Sequence, residues 1–244
     1  MNTSSNSKYS SAHAMARIVK ILLIAGGIVS GLSLVLTGLL TQISTLPEFE
    51  ELGGNPVRFA VGLLELSRLL VHLSTIVTFL IWLYRSYRNL ASFGYSSRYS
   101  LGMAVGSFFI PFANLIIPYQ IIKELWQKSV PENEAALGPS SVPSWFPLWW
   151  FFWLVANFVG NGFRKINGSE AVSLSTLIVV SVVADALSIF AAILAVMVVG
   201  DIDQRQEETS SKLHLGKYAL PPSPPSTHPM MELSLPNNQT SNAI

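Results

Sequence analysis

A chain of 244 residues that is 50% hydrophobic and only 12% charged, with a mean hydropathy of +0.45, lies far from the soluble balance of about 25% charged residues and reads as a multi-pass membrane protein. Its formal net charge of +1 cannot supply the concentrated basic field that displaces counterions from phosphate, which sets nucleic acid aside as a partner. With no cysteine there is no disulfide, thiolate nucleophile or thiolate metal site.

Residues 1–16 are rich in Ser and Asn, carry Lys8 and His13, and hold too little apolar surface to order a backbone, so a disordered N-terminal tail is expected. Residues 17–200 read as a helical transmembrane domain. Its first span, about 18–40, is apolar for long enough to cross a hydrocarbon core of roughly 30 Å, and it reads as a retained anchor rather than a cleaved leader. Gly27, Gly31 and Gly38 recur along it at helical spacing and allow another helix to approach. The loop that follows carries Glu48, Glu50 and Glu51 and looks external.

The second span must end at Trp82 and Tyr84, whose rings suit the headgroup level, with Arg85 and Arg88 directly after them. Counting back gives a span of about 64–84. Glu65, Arg68, His72 and Thr75 then form one polar stripe on one helix face, with Glu65 and Arg68 close to the outer interface. Next comes a segment at 101–126 that is long enough to cross, yet Pro111 and Pro118 each remove a backbone donor and disfavour helix in the residue before them. Asn114 sits between them, placed to serve carbonyls that the break frees.

Charge decides how this broken segment is read. If it crosses, five spans result and Arg58, Lys123, Lys128, Arg205, Lys212 and Lys217 all fall outside; if it returns on the side it entered, only Arg58, Arg164 and Lys165 do. The expected fold is therefore all-α, with four transmembrane helices and one proline-broken re-entrant or interfacial hairpin, five spans being the alternative. The remaining spans are about 145–163, opening on an interfacial tryptophan cluster, and 174–199. Within the last, Asp185, Ser188, Ala192 and Ala195 share a face where small residues invite another helix. A lone ionised acid there is costly, so Asp185 should either find a donor or stay protonated; His72 is the preferred partner and Arg68 the reserve. Residues 201–244, polar and then proline-rich, read as a disordered cytoplasmic tail.

The order of FLIWLYRSYRNL, VGSFFIPFANLIIPYQIIKELWQKS, PLWWFFWLV and a last span closed by DQRQ resembles domain-of-unknown-function family 4328 over roughly residues 15–206. The resemblance rests on Trp82, Tyr84, Arg85, Asn89 and Leu90 in a first signature, and on Pro111, Asn114, Leu115, Pro118, Tyr119 and Trp126 in a second; Arg88 lies inside the first. It implies a helical protein of the bacterial cell membrane, and it brings no activity, ligand or catalytic residue.

No phosphate loop, zinc-binding HExxH helix or GxSxG elbow occurs, and His13, His72, His214 and His228 are scattered. Neither an enzyme nor a cofactor nor a metal site is expected. Two readings remain. The first is a non-catalytic membrane scaffold, regulatory or interaction module with both termini cytoplasmic, embedded in the bilayer, whose basic rim (Arg85, Arg88, Arg98) meets anionic headgroups or a membrane protein partner. The alternative is a small transporter or channel subunit with a polar intramembrane site, since interrupted apolar segments commonly frame such sites. A transport site would leave water reaching His72 or Asp185, whereas a module would bury them dry and paired.

Overall fold

The computed structural model describes residues 9–43, 55–131, 141–166 and 173–218, and the described residues hold helices and no strand. In chain order these are α1 (His13–Ile43), α2 (Asn55–Asn89), a 3-10 turn (Leu90–Phe93), α3 (Leu101–Gly106), α4 (Ala113–Gln127), α5 (Trp145–Ile166) and α6 (Leu174–Tyr218). Three of them contain stretches long and apolar enough to cross a membrane: His13–Leu40, Phe59–Phe93 and Ser175–His214. The expected fourth span, α5, forms a helix of 22 residues, about 33 Å long, but its tryptophans and Asn157 keep it out of that apolar class.

α1 packs against both α2 and α6, and α5 covers another side of α6. α1 runs antiparallel to both its neighbours, because His13 at its start meets Asp203 near the end of α6 at 2.8 Å. α2 and α6 are parallel and in a fixed register: Arg68 meets Asp185 and Asn89 meets Gln206, both pairs separated by 117 positions. The two contacts thus lie about 21 residues, or roughly 31 Å, apart along the helices. Most of the buried core gathers at the end where α2 closes, with Trp82, Leu83, Tyr87 and Leu90 against Ile121, Ile122 and Leu125 of α4, Phe146 of α5, and Val198 and Ile202 of α6. Towards the other end Leu63, Leu66, Leu69, Leu70 and Leu73 are exposed, which suits a surface bathed in lipid tails and not one bathed in water.

The broken segment is a hairpin whose two ends meet. The 3-10 turn closes on Gly94, whose φ of 96° is open to glycine without strain, and the chain then turns back through Tyr95. Ser100 caps α3 by accepting from the Met103 N–H at 3.1 Å. Between α3 and α4 the backbone leaves helical geometry at Phe112, with φ 63° in a bulky aromatic residue that is 86% exposed. Beyond α4, the Tyr95 hydroxyl donates to the Val130 carbonyl at 2.8 Å and closes the loop. Pro118 sits inside α4, and the carbonyl of Leu115, in the turn before the proline, accepts from Trp150 Nε1 at 2.9 Å.

Both tails depart from expectation where they are described. Residues 9–16 are ordered: α1 begins at His13, and Ala12 and Ala16 are buried in the core. α6 does not stop near 199 but continues to Tyr218, because QRQEE supplies a core of good helix formers and the stretch sets Ile202, Asp203, Gln206 and Thr209 on a buried face. High polarity here marks a helix face that finds polar partners, not a chain without structure. Residues 1–8 and 219–244, including the proline-rich run, lie outside the described residues.

Candidate functional site

The polar side chains fall into two layers. In the far layer, Asp185 is 2% exposed and accepts from Arg68 Nη2, and Arg68 Nη1 lies 3.9 Å from Glu65 Oε1, one helical turn away. One guanidinium thus faces two carboxylates, and the buried one has the closer contact. The reserve partner of the sequence reading, Arg68, is the residue that meets Asp185. Its depth explains this. In the register of α2 on α6, Asp185 is level with Arg68, whereas His72 is one turn further along α2. The longer arginine side chain also reaches across two helices that each rest on α1 and touch one another only sparsely.

The second layer lies at the end where α2 closes, and it gathers most of the sequence signatures. Trp82 is fully buried. Asn89, also buried, donates to the Ser10 carbonyl at 3.0 Å and to Gln206 Oε1 at 3.3 Å, while its Oδ1 accepts from the Ser10 N–H. Gln206 in turn donates to the Ser86 carbonyl at 3.0 Å and the Ser129 hydroxyl at 3.3 Å, and Thr209 donates to the Ser129 carbonyl at 3.0 Å. Trp126 donates its indole N–H to Asp201, and the Arg205 guanidinium lies 3.7 Å from the centre of its ring, a close cation–π contact from the same helix. Arg85 is half-buried and within 3.4 Å of the Ser10 hydroxyl, whereas Arg88 and Arg98 are exposed. Pro111 is exposed at the hairpin tip; Pro118 is buried, and Tyr119 packs on the core. Asn114 has its Oδ1 buried without a hydrogen-bond partner.

Three elements of this layer escaped the sequence reading. Glu124, buried in α4, accepts from the Tyr87 hydroxyl at 2.7 Å, the Arg98 N–H at 2.8 Å and Lys128 Nζ at 2.6 Å, pinning the loop between α2 and α3 to α4. Its sequence signal was a carboxylate four residues before a lysine, which also describes any solvated helix face. Asp203, buried as well, is approached by His13 and, at 3.9 Å, by Lys20. Glu207 accepts from the Tyr9 hydroxyl at 2.8 Å and from Ser11, so residues 9–13 form a strap across α2 and α6. Burial first, and then the bond to Glu207, hold the Tyr9 phenol above its ordinary range. Among the described residues no group of three His, Asp or Glu side chains is placed to hold a metal ion.

The bundle is that of an all-helical membrane protein, with its polar residues spent on joining helices. The profile of the family described as "Domain of unknown function (DUF4328)" matches residues 55–204, more than half of the chain, and the protein belongs to that family. No curated protein and no solved structure matches it significantly.

Proposed function

We propose that the protein is a non-catalytic interaction module of the bacterial cell membrane, crossing it four times through α1, α2, α5 and α6, with the α3–α4 hairpin re-entering from the cytoplasmic side and both termini in the cytoplasm. The observation that carries this reading is the concentration of the polar bonds at one end, where Arg88 and Arg98 stay exposed on a scaffold held by Glu124, Asn89 and Gln206. A rigid basic rim just past Trp82 and Tyr84 lies at the level of anionic headgroups, where each cation contributes about 1 kcal/mol. That both ends of the hairpin meet through Tyr95 and Val130 supports a segment that returns rather than crosses. Asp185, buried and bonded to Arg68, supports a packing role over a water-reached transport site.

Two measurements test it. A reporter fused after Lys128 should appear on the same side as one fused after Ser92, and a periplasmic signal at Lys128 would return the five-span alternative. Replacing Arg85, Arg88 and Arg98 together by glutamine should weaken association of the purified protein with anionic over neutral vesicles by roughly a hundredfold at low salt, about 1 kcal/mol per charge. Unchanged association would remove the lipid-facing rim and leave a protein partner as the target of that surface.

A further inference from the structure

Among the described residues, four buried side-chain atoms have no hydrogen-bond partner: the indole N–H groups of Trp82 and Trp149, the Ser107 hydroxyl and Asn114 Oδ1. Trp82 and Ser107 are wholly buried and Trp149 nearly so. Left dry, each such group lowers the folding constant by roughly one to two orders of magnitude. Four of them would offset most of the net stability of a domain.

The four are not scattered. Trp82 lies 5.5 Å from Phe79, Phe79 lies 5.8 Å from Phe108, and Ser107 directly precedes Phe108. Phe108 meets Trp153 at 6.4 Å, Trp153 stacks on Trp150 at 4.7 Å, and Trp150 lies 5.5 Å from Trp149. Trp150 donates to the carbonyl of Leu115, the residue after Asn114. One run of ring contacts thus joins Trp82 to Trp149 and passes Phe108, next in sequence to Ser107, while Trp150 within it bonds to Leu115, next to Asn114. The same place loses a backbone donor to Pro118, whose missing N–H would have served the Asn114 carbonyl.

The stranded set is mixed in sign. Indoles only donate, Asn Oδ1 only accepts, and a hydroxyl does either. No charged side chain belongs to the rings that link them. An anion would satisfy the indoles and be opposed by Asn114, and a cation would meet the reverse; an uncharged molecule that both accepts and donates satisfies all four. We propose that the break between α3 and α4 encloses a hydration site, in which bound water accepts from Trp82 and Trp149 and donates to Asn114 Oδ1 and Ser107 Oγ. Buried water typically makes about three such bonds, and non-helical backbone at membrane depth persists where it is buried in protein or faces water. The hairpin is then a wedge with a wet root and an apolar tip formed by Phe109 and Phe112.

The full chain in lipid nanodiscs, with tryptophan indoles labelled with nitrogen-15, tests this directly. Loss of one signal in Trp82→Phe and of another in Trp149→Phe assigns the two indole protons, and each should show a cross-peak to water. Ser107→Ala should lower the melting temperature by a few degrees, because bound water loses an acceptor; a dry hydroxyl would give a rise or no change on removal. Absence of the water cross-peak at either indole, or a Ser107→Ala protein at least as stable as the parent, overturns the proposal. Cross-peaks at these indoles to non-exchanging protons that belong neither to the protein nor to lipid would also overturn it, in favour of a bound organic solute. If Ser107→Ala does not fold, the cross-peaks of the parent chain still decide.

Discussion

Where α2 closes, Gln206 alone bonds to Asn89, the Ser86 carbonyl and Ser129, and the strap at Tyr9 to His13 adds contacts to Glu207 and Asp203. Some 31 Å away along the same two helices, Arg68 joins α2 to α6 through Asp185 amid exposed leucines. The first region is cross-linked several times over, and the second places a buried charge pair between the same two helices. In lipid, apolar faces gain little by leaving one neighbour for another, so helix register falls to polar bonds and close packing. Two polar rungs with one shared offset of 117 positions stop α6 from sliding by a turn on α2, and the outer rung is the one built on a buried charge.

Breaking that rung should therefore have the largest effect. Arg68→Met leaves Asp185 buried without its cation and should destabilise the bundle by about 3–5 kcal/mol, read as thermal unfolding in nanodiscs. Arg68→Met with Asp185→Leu removes both charges and should recover most of the loss. A single variant as stable as the parent would show that the outer register is held by packing alone. At the redundant end the largest single effect should come from Glu124→Leu, which strands the Tyr87 hydroxyl and the Arg98 N–H, since Lys128 can turn to solvent. About 2–3 kcal/mol is expected, together with faster proteolysis between Gly94 and Ser100. If cleavage there is unchanged, Glu124 does not hold the loop.

Helix positions were legible because hydropathic length and proline placement act locally. The tryptophan-led segment starts at Trp145 as read, and the broken hairpin breaks between Pro111 and Asn114. That Asp185 needs a partner on the polar stripe of α2 was legible too, but which partner was not. Taking the spans read as 64–84 and 174–199 to begin at one depth displaces α6 by about seven residues, roughly 10 Å, from its true register, which is enough to exchange Arg68 for His72. Register depends on the distant Gln206–Asn89 contact, and no local pattern carries it. The same holds for Glu124 and for the helix beyond Gly200, whose polar residues look solvated until the elements that cover them are known.

The smallest effect tests whether the redundancy at the strapped end is real. Tyr9→Phe deletes the hydroxyl bonded to Glu207 but keeps the ring, which stacks on Phe93 at 5.5 Å. Ser11 still bonds to Glu207 and His13 to Asp203, so the loss should be about 1 kcal/mol, with slightly faster amide exchange confined to the strap. Because the folded phenol is held above its ordinary value, the contribution is fully present below about pH 10 and is lost only as the pH climbs through the raised value. The difference between Tyr9→Phe and the parent should thus be the same at neutral and mildly alkaline pH. If Tyr9→Phe instead loosens the whole bundle, residues 9–13 are its keystone, and the end that looks redundant hangs on one hydroxyl.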